Sequence, residues 1–206
     1  MVMAGVLTDE AGAAELKKIG AKDSKLLSPR QREQLFGRIV KIVKDYKIVI
    51  ISPAEIDASV KSDDGMNLNW LEAHKSAEII NSLNPPPEKI IIDSPSNNVK
   101  NYEKYLMRLL KNKKIEAVVE HKADVNYVEC SAASILAKVT RDEEIEKIKK
   151  VVVDDLGSGY LADPKTIEFF DKYFEVYPDI FRKSWAPYRK RLSGKWQKKL
   201  GDFSNE

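Results

Sequence analysis

Two spacings of apolar residues alternate along the 206 positions. Short apolar runs stand at Val2 to Leu7, Tyr46 to Ile51, Lys89 to Asp93 and Ile115 to Glu120, and each predicts a strand. The second and third are rich in β-branched residues and too short for a helix with their flanks, so they are expected to be largely buried. Between the runs, apolar side chains return every three or four residues, the spacing of one helix face. Helices are predicted over Asp9 to Ile19, after Ser28-Pro29-Arg30-Gln31, after Ser52-Pro53-Ala54-Glu55, over Asn67 to Leu83, over Val99 to Asn112, from Ser131 onward and after Asp163-Pro164. The two Ser-Pro starts read as capping boxes with proline at the first helical position. Inward faces are expected at Leu35, Phe36, Ile39, Val40 and Val43, then at Leu68, Leu71, Ile79, Ile80 and Leu83. Further along, Tyr102, Tyr105, Leu106, Leu109 and Leu110 form such a face, as do Ile167, Phe170 and Phe174. Ser62 to Gly65 reads as a turn, Asn84 to Glu88 as a stiff proline connector, and Leu156 to Tyr160 as a flexible loop exposing one aromatic. Strand and helix alternate through residues 89 to 150, which is the α/β pattern.

Two connections in that alternation present a carboxylate. Asp93 ends a strand, where the sheet holds a side chain rigidly and where ligands gather in open α/β sheets. It also suits the first position of the turn Ser94-Pro95-Ser96-Asn97-Asn98. Asp124 leads into a helix whose Ala132, Ala133 and Ala137 permit close packing against other backbone, and the helix N-terminus favours an anion. It equally suits the N-cap. Asp142 would share the face of Asp124 on a continuous helix, but at about 27 Å distance, too far to share a metal ion.

Composition narrows the setting. The single cysteine, Cys130, excludes an internal disulfide and reads as a small buried side chain in a reducing compartment. No run reaches the roughly 18 apolar residues of a membrane span, and Met1 to Leu7 lacks the features of a signal peptide, so a cytoplasmic protein with no membrane association is expected. His74 has no partner at ligand spacing. The abundance of Lys and Glu, with 33% of residues charged, leans towards a thermophile. The net charge is only +3, yet Ile180 to Leu200 holds eight Lys or Arg and no Asp or Glu, interleaved with Phe181, Trp185, Tyr188 and Trp196. Such an end suits nucleic-acid backbone, or a solvated cationic face. By charge the chain divides into a domain over 1–178 and a basic helical segment over 179–206.

Taken in order, Lys22-Asp-Ser-Lys25, Ile90-Ile-Ile-Asp93-Ser, Glu120-His-Lys-Ala-Asp124, Ser131-Ala-Ala-Ser-Ile-Leu-Ala-Lys138-Val-Thr-Arg-Asp142, Gly157-Ser-Gly-Tyr160 and Lys183-Ser-Trp185 resemble archaeal ribonuclease HII, the type 2 ribonuclease H family. The resemblance covers nearly the whole chain. It implies a ribonuclease H-like fold, a mixed sheet flanked by helices with a helical C-terminal segment. It implies endonucleolytic cleavage of the RNA strand of RNA/DNA hybrids, and of DNA containing ribonucleotides, by a monomer using two divalent ions, Mg2+ or Mn2+. On the matching positions it makes Asp93 and Asp124 catalytic metal ligands. Gly159 and Tyr160 become substrate-binding, with the ring at the ribose carrying the recognised 2′-hydroxyl, and Ser24, Lys25 and Lys138 become phosphate-contacting neighbours. Oxygen ligands of this kind suit Mg2+ or Mn2+.

One motif departs from the pattern. The family opens on a strand carrying Asp-Glu-Ala-Gly-Arg-Gly, whose first two residues are metal ligands. Asp9-Glu10-Ala11-Gly12 invites that match, but Asp9 stands 14 residues before Asp23, the spacing of the acidic pair after the family's second strand. Met1 to Leu7 is therefore matched to the second strand, and the first is expected to be absent from the chain as given, with part of the active site. The expectation is an impaired ribonuclease H. The alternative is a catalytically silent hybrid-binding module of the same fold, and a junction resolvase is disfavoured by Gly157-Ser-Gly-Tyr160, which has no evident use there.

Overall fold

The structure is a computed structural model that describes residues 1–22, 24–61 and 65–201, with side chains except at 26 and 194–201. Asp23 and most of the turn expected at Ser62 to Gly65 lie outside the described residues, and Trp196 outside the described side chains. The chain divides into two compact units, residues 1–51 with 67–141 and residues 52–66 with 142–206. The basic segment from residue 179, a division by charge, lies wholly in the second.

In the first unit, β1 (Val2–Leu7) leads to α1 (Glu10–Lys18), a 3-10 turn at Ser24–Leu26, α2 (Pro29–Ile42) and β2 (Asp45–Ile50). Asp9 caps α1 by accepting from Gly12 N–H at 2.8 Å, and its other oxygen lies 2.9 Å from Lys44 Nζ. The Ser28 capping box closes in both directions, Gln31 Oε1 accepting from Ser28 N–H while Ser28 Oγ accepts from Gln31 N–H. β1 and β2 pair antiparallel from Val2↔Ile50 to Leu7↔Asp45.

After α3 (Pro53–Lys61), which belongs to the second unit, come α4 (Leu68–Ser82), β3 (Lys89–Asp93), α5 (Val99–Leu109) and β4 (Glu116–Glu120). α4 lies against the first ladder, and Gly5 makes the approach possible: a Cβ there would stand 2.5 Å from Ile79 Cγ2. β3 and β4 pair in parallel from Lys89↔Glu116 to Asp93↔Glu120, with α5 as the crossover that parallel pairing requires. The register sets Asp93 and Glu120 side by side at the carboxyl end, where α6 (Ala123–Asn126) and then α7 (Val128–Lys149) begin.

The fold is the expected α/β class with both pairing directions, arranged among the described residues as two two-stranded ladders. β2 is less buried than its composition predicts, with Ile50 51% exposed, because it has a strand on one side only and alternate side chains face outward. Two apolar clusters among the described residues help hold the unit. One joins Leu16, Leu35 and Ile39 to Ile135, Leu136 and Val139 of α7; the other joins Ala73 and Ala77 to Ile90, Tyr102 and Leu106. Fully buried Ile135 and Leu106 each contribute about 1.5–3 kcal/mol relative to exposure.

In the second unit, α8 (Pro164–Tyr173), a 3-10 turn at Pro178–Ile180 and α9 (Ala186–Gly201) follow the C-terminal end of α7. Phe170 and Phe174 face inward as expected, but Ile167 is 41% exposed. Phe169 takes the inward place, because Thr166, Phe169, Phe170 and Phe174 form the helical stripe that meets Phe181 and Tyr188. Among the described side chains of the basic end, Tyr188 is buried with Phe170 and Phe174, and the partly buried Phe181 and Trp185 pack against them.

Candidate active site

Three elements of the first unit meet at the carboxyl end of β3. Asp93 closes the strand with an exposed side chain whose Oδ1 accepts from Ala123 N–H at 3.3 Å. The following turn does not use it. Ser94 Oγ accepts from Ser96 N–H, Ser96 Oγ from Asn98 N–H, and Asn98 caps α5, so the side chains of Ser94, Ser96 and Asn98 make that turn.

Asp124 is the second residue of α6 and not its cap, which is Lys122 in the left-handed region at φ 61°. No continuous helix joins Asp124 to Asp142: Tyr127 is extended and separates α6 from α7. Ser131 Oγ spans the break by donating to Asp124 O at 2.5 Å and also to Tyr127 O at 3.2 Å. Asp124 is only 5% exposed and its Oδ1 is buried with no hydrogen-bond partner among the described residues, while Oδ2 lies 3.7 Å from Lys25 Nζ. A buried carboxylate oxygen left in this way is costly unless a cation completes it.

The expected neighbours divide by role. Lys25 reaches the site, but Ser24 is fully buried and its hydroxyl meets Ser134 Oγ at 2.9 Å. Its side chain therefore anchors the 3-10 turn that carries Lys25. Lys138 is half-buried on α7 and shares a face with Ser131 and Ser134 through the i, i+3, i+7 spacing.

Sequence reasoning missed the acidic surroundings of Cys130. Its Sγ donates to Ile91 O at 3.3 Å, and burial first, then Asp93, Glu129, Asp124 and Glu120, push the thiol up to about 12. Glu120 lay in the quoted motif, but its strand register beside Asp93 was not legible there. The field is one that attracts a cation, and the donors are hard oxygens that suit a divalent ion. Among the described residues no three His, Cys, Asp or Glu form a group arranged to hold a metal ion. The fit is therefore one of ligand type, with two carboxylates and an unfilled oxygen.

Gly159 and Tyr160 belong to the second unit. Tyr160 is 47% exposed, as expected, and its loop is hydrogen-bonded to side chains along its length. Successive N–H groups of Gly157, Ser158, Gly159 and Tyr160 donate to Asp155, Asp163, Thr166 and Ser158 side chains. In the same unit Asp57 accepts from the N–H groups of Lys183 at 2.6 Å and Ser184 at 2.8 Å, just before α9. Of the cations on the first turns of α9, Arg191 pairs with Asp171 at 2.5 Å.

The family model described as Ribonuclease HII matches residues 1–188. The chain belongs to the ribonuclease HII family. A ribonuclease HII of Pyrococcus furiosus is 44% identical over 193 residues, covering 92% of this chain and 83% of the relative. The solved ribonuclease H2 of Pyrococcus horikoshii OT3 is similar with a TM-score of 0.78 and 38% identity, over 93% of this chain and 97% of that one. A ribonuclease HII of Archaeoglobus fulgidus, solved in complex with PCNA, gives a TM-score of 0.74 and 35% identity over 85% of this chain and 80% of that one. As a member of the ribonuclease HII family the chain is an endoribonuclease of RNA/DNA hybrids, and the family's nucleases depend on divalent metal ions. No helix among the described residues is long and apolar enough to cross a membrane.

Proposed function

We propose that Asp93 and Asp124 are the catalytic carboxylates that hold two divalent ions, Mg2+ or Mn2+, for cleavage of RNA/DNA hybrids and of DNA containing ribonucleotides. The observation that carries this reading is Asp124 Oδ1, buried without a partner among the described residues in an acidic field beside Asp93. When bound, such ions supply Lewis acidity at the phosphoryl oxygens and lower the pKa of water. The chain's own residues orient the donors: Ala123 N–H holds Asp93, and the Ser131 hydroxyl fixes the Asp124 backbone. Lys25, beside Asp124, meets the negative charge of the incoming phosphate, and Lys138 does so from α7. Water forms a bond to phosphorus as the bond to the 3′ oxygen breaks, and that oxygen takes a proton, leaving 3′-hydroxyl and 5′-phosphate ends. Tyr160, with Gly159 before it in the loop, packs at the ribose whose 2′-hydroxyl distinguishes RNA from DNA. The protein acts as a monomer in the cytoplasm.

With two carboxylates and no larger ligand group among the described residues, residues 1–206 are expected to hold these ions weakly and to cleave slowly. A Mn2+ titration followed by electron paramagnetic resonance tests this. Weak binding that disappears in Asp124→Asn and Asp93→Asn supports the reading. Tight binding abolished by Asp9→Asn or Glu10→Gln rejects it and moves the ligands to α1.

The complex solved for the Archaeoglobus relative favours a second partner. We infer that this chain also binds PCNA, through its end, where Gln197, Leu200 and Phe203 stand three residues apart. Co-elution with PCNA that is lost in a Leu200→Ala, Phe203→Ala variant supports this, and unchanged elution rejects it.

A further inference from the structure

We infer that Thr166 and Asp163, at the start of α8, are positioning residues for Tyr160, and that the Thr166 hydroxyl sets how sharply the protein tells a ribonucleotide from a deoxyribonucleotide. The inference rests on the role proposed for Tyr160.

The Thr166 hydroxyl works in two directions at once. It accepts from Gly159 N–H at 2.9 Å and donates to Leu156 O at 2.9 Å, closing the loop across its base. Thr166 is 6% exposed, so neither bond is readily exchanged for water. The Asp163 carboxylate accepts from Ser158 N–H at 2.7 Å with one oxygen and from Lys165 N–H at 3.0 Å with the other. Asp163 N–H in turn donates to Tyr160 O at 3.0 Å. The residues on both sides of the turn are therefore tied to one rigid helix start.

The glycines show how close that attachment is. Gly157 and Gly159 have φ of +69° and +72°, a region that disfavours other residues. A Cβ on Gly157 would stand 2.7 Å from Asp163 Oδ2, 2.8 Å from Thr166 Oγ1 and 2.9 Å from Thr166 N. The loop is pressed onto these two side chains, while the Tyr160 ring is left half exposed. An aromatic held so loses little freedom when a ribose packs against it, which is how pre-organisation sharpens recognition.

Two measurements on the full chain test this. Amide hydrogen exchange reads the loop directly, and the ratio of affinities for a DNA duplex containing one ribonucleotide and for the same all-DNA duplex reads recognition without requiring cleavage. Thr166→Val keeps the shape and removes the hydroxyl. It should raise exchange at Gly159 and Tyr160 at least about tenfold, the loss of one buried hydrogen bond. It should also lower the affinity ratio about as far as Tyr160→Ala does, with the double variant no lower and Thr166→Ser restoring both readings. Unchanged exchange, or an unchanged ratio where Tyr160→Ala lowers it, overturns the role of Thr166. A ratio indifferent to Tyr160→Ala overturns the reading of Tyr160 and with it the recognition role, and the exchange data then decide separately whether Thr166 holds the loop.

Discussion

Asp124 in the first unit and Asp57 in the second are buried almost equally, at 5% and 7% exposure, and have opposite surroundings. Both oxygens of Asp57 accept backbone N–H groups, at 2.6 and 2.8 Å. Among the described residues, Asp124 has one oxygen without a partner and the other 3.7 Å from an ammonium group, beyond hydrogen-bond length. A satisfied buried carboxylate contributes to stability, whereas an unsatisfied one costs stability and persists where a ligand completes it. Burial alone does not separate structure from function; the hydrogen-bond partners do.

The largest expected effect breaks the comparison on the functional side. In an active protein, Asp124→Asn or Asp93→Asn should lower metal-dependent hybrid cleavage by about 10³-fold or more, roughly 4 kcal/mol in the barrier, with the melting temperature nearly unchanged. Single-turnover cleavage and thermal melts check it. A variant that melts much earlier but cleaves normally would make Asp124 a structural residue like Asp57.

On the structural side, Asp57→Ala removes two charge-assisted bonds and leaves two N–H groups unpaired. A loss of about 2–3 kcal/mol is expected in denaturant titration. The pH dependence sharpens this. Burial, the largest single influence, pushes the Asp57 carboxyl up, but the hydrogen bonds from Ser184 and Lys183 together with the charge of Lys61 outweigh it and hold the group below its usual value of 3.8. A lowered folded value means that its contribution is fully present above the unfolded value and is lost as pH falls through the folded one. The difference in stability between the native protein and Asp57→Ala should therefore shrink on acidification below about pH 4 and stay flat above about pH 5.

The smallest effect concerns the cations of α9. Neutralising Arg189, Lys190 and Arg191 together should weaken binding of hybrid and DNA alike, and flatten the dependence of log K on log salt by about 0.9 per lost phosphate contact. Because Arg191 is held by Asp171, the flattening is expected to correspond to about two contacts and not three. Affinities measured at several salt concentrations check this, and a loss confined to RNA-containing duplexes would contradict it.

Much of the fold was legible because its causes are local. Ser28 met Gln31, Ser52 met Glu55 and the strand runs stood where β-branched residues cluster. Errors arose where a neighbour decided. Ile167 and Phe169 both fit a helical stripe, and the packing of Tyr177 and Phe181 selected Phe169. The loop at Gly157 to Tyr160 looked flexible from its glycines, yet those glycines permit close packing against Asp163 and Thr166. Likewise Ser24 was legible as part of a motif but not as a buried anchor, because Ser134 stands 110 positions away.

By itself the sequence determined the order of elements, their caps, the two strand-end and helix-start carboxylates and the family resemblance. Propensity, capping and apolar spacing act within a few residues, and motifs are read one after another along the chain. Only the tertiary structure decided which carboxylates are satisfied, since the partners of Asp93, Asp57 and Ser24 lie 30, 126 and 110 positions away. Parallel pairing carried Asp93 to Glu120 and to the start of α6, and the break at Tyr127 let Asp124 sink inward with one oxygen unpaired. A side chain's residual hydrogen-bonding capacity is a property of everything packed around it, and that is set by the fold as a whole.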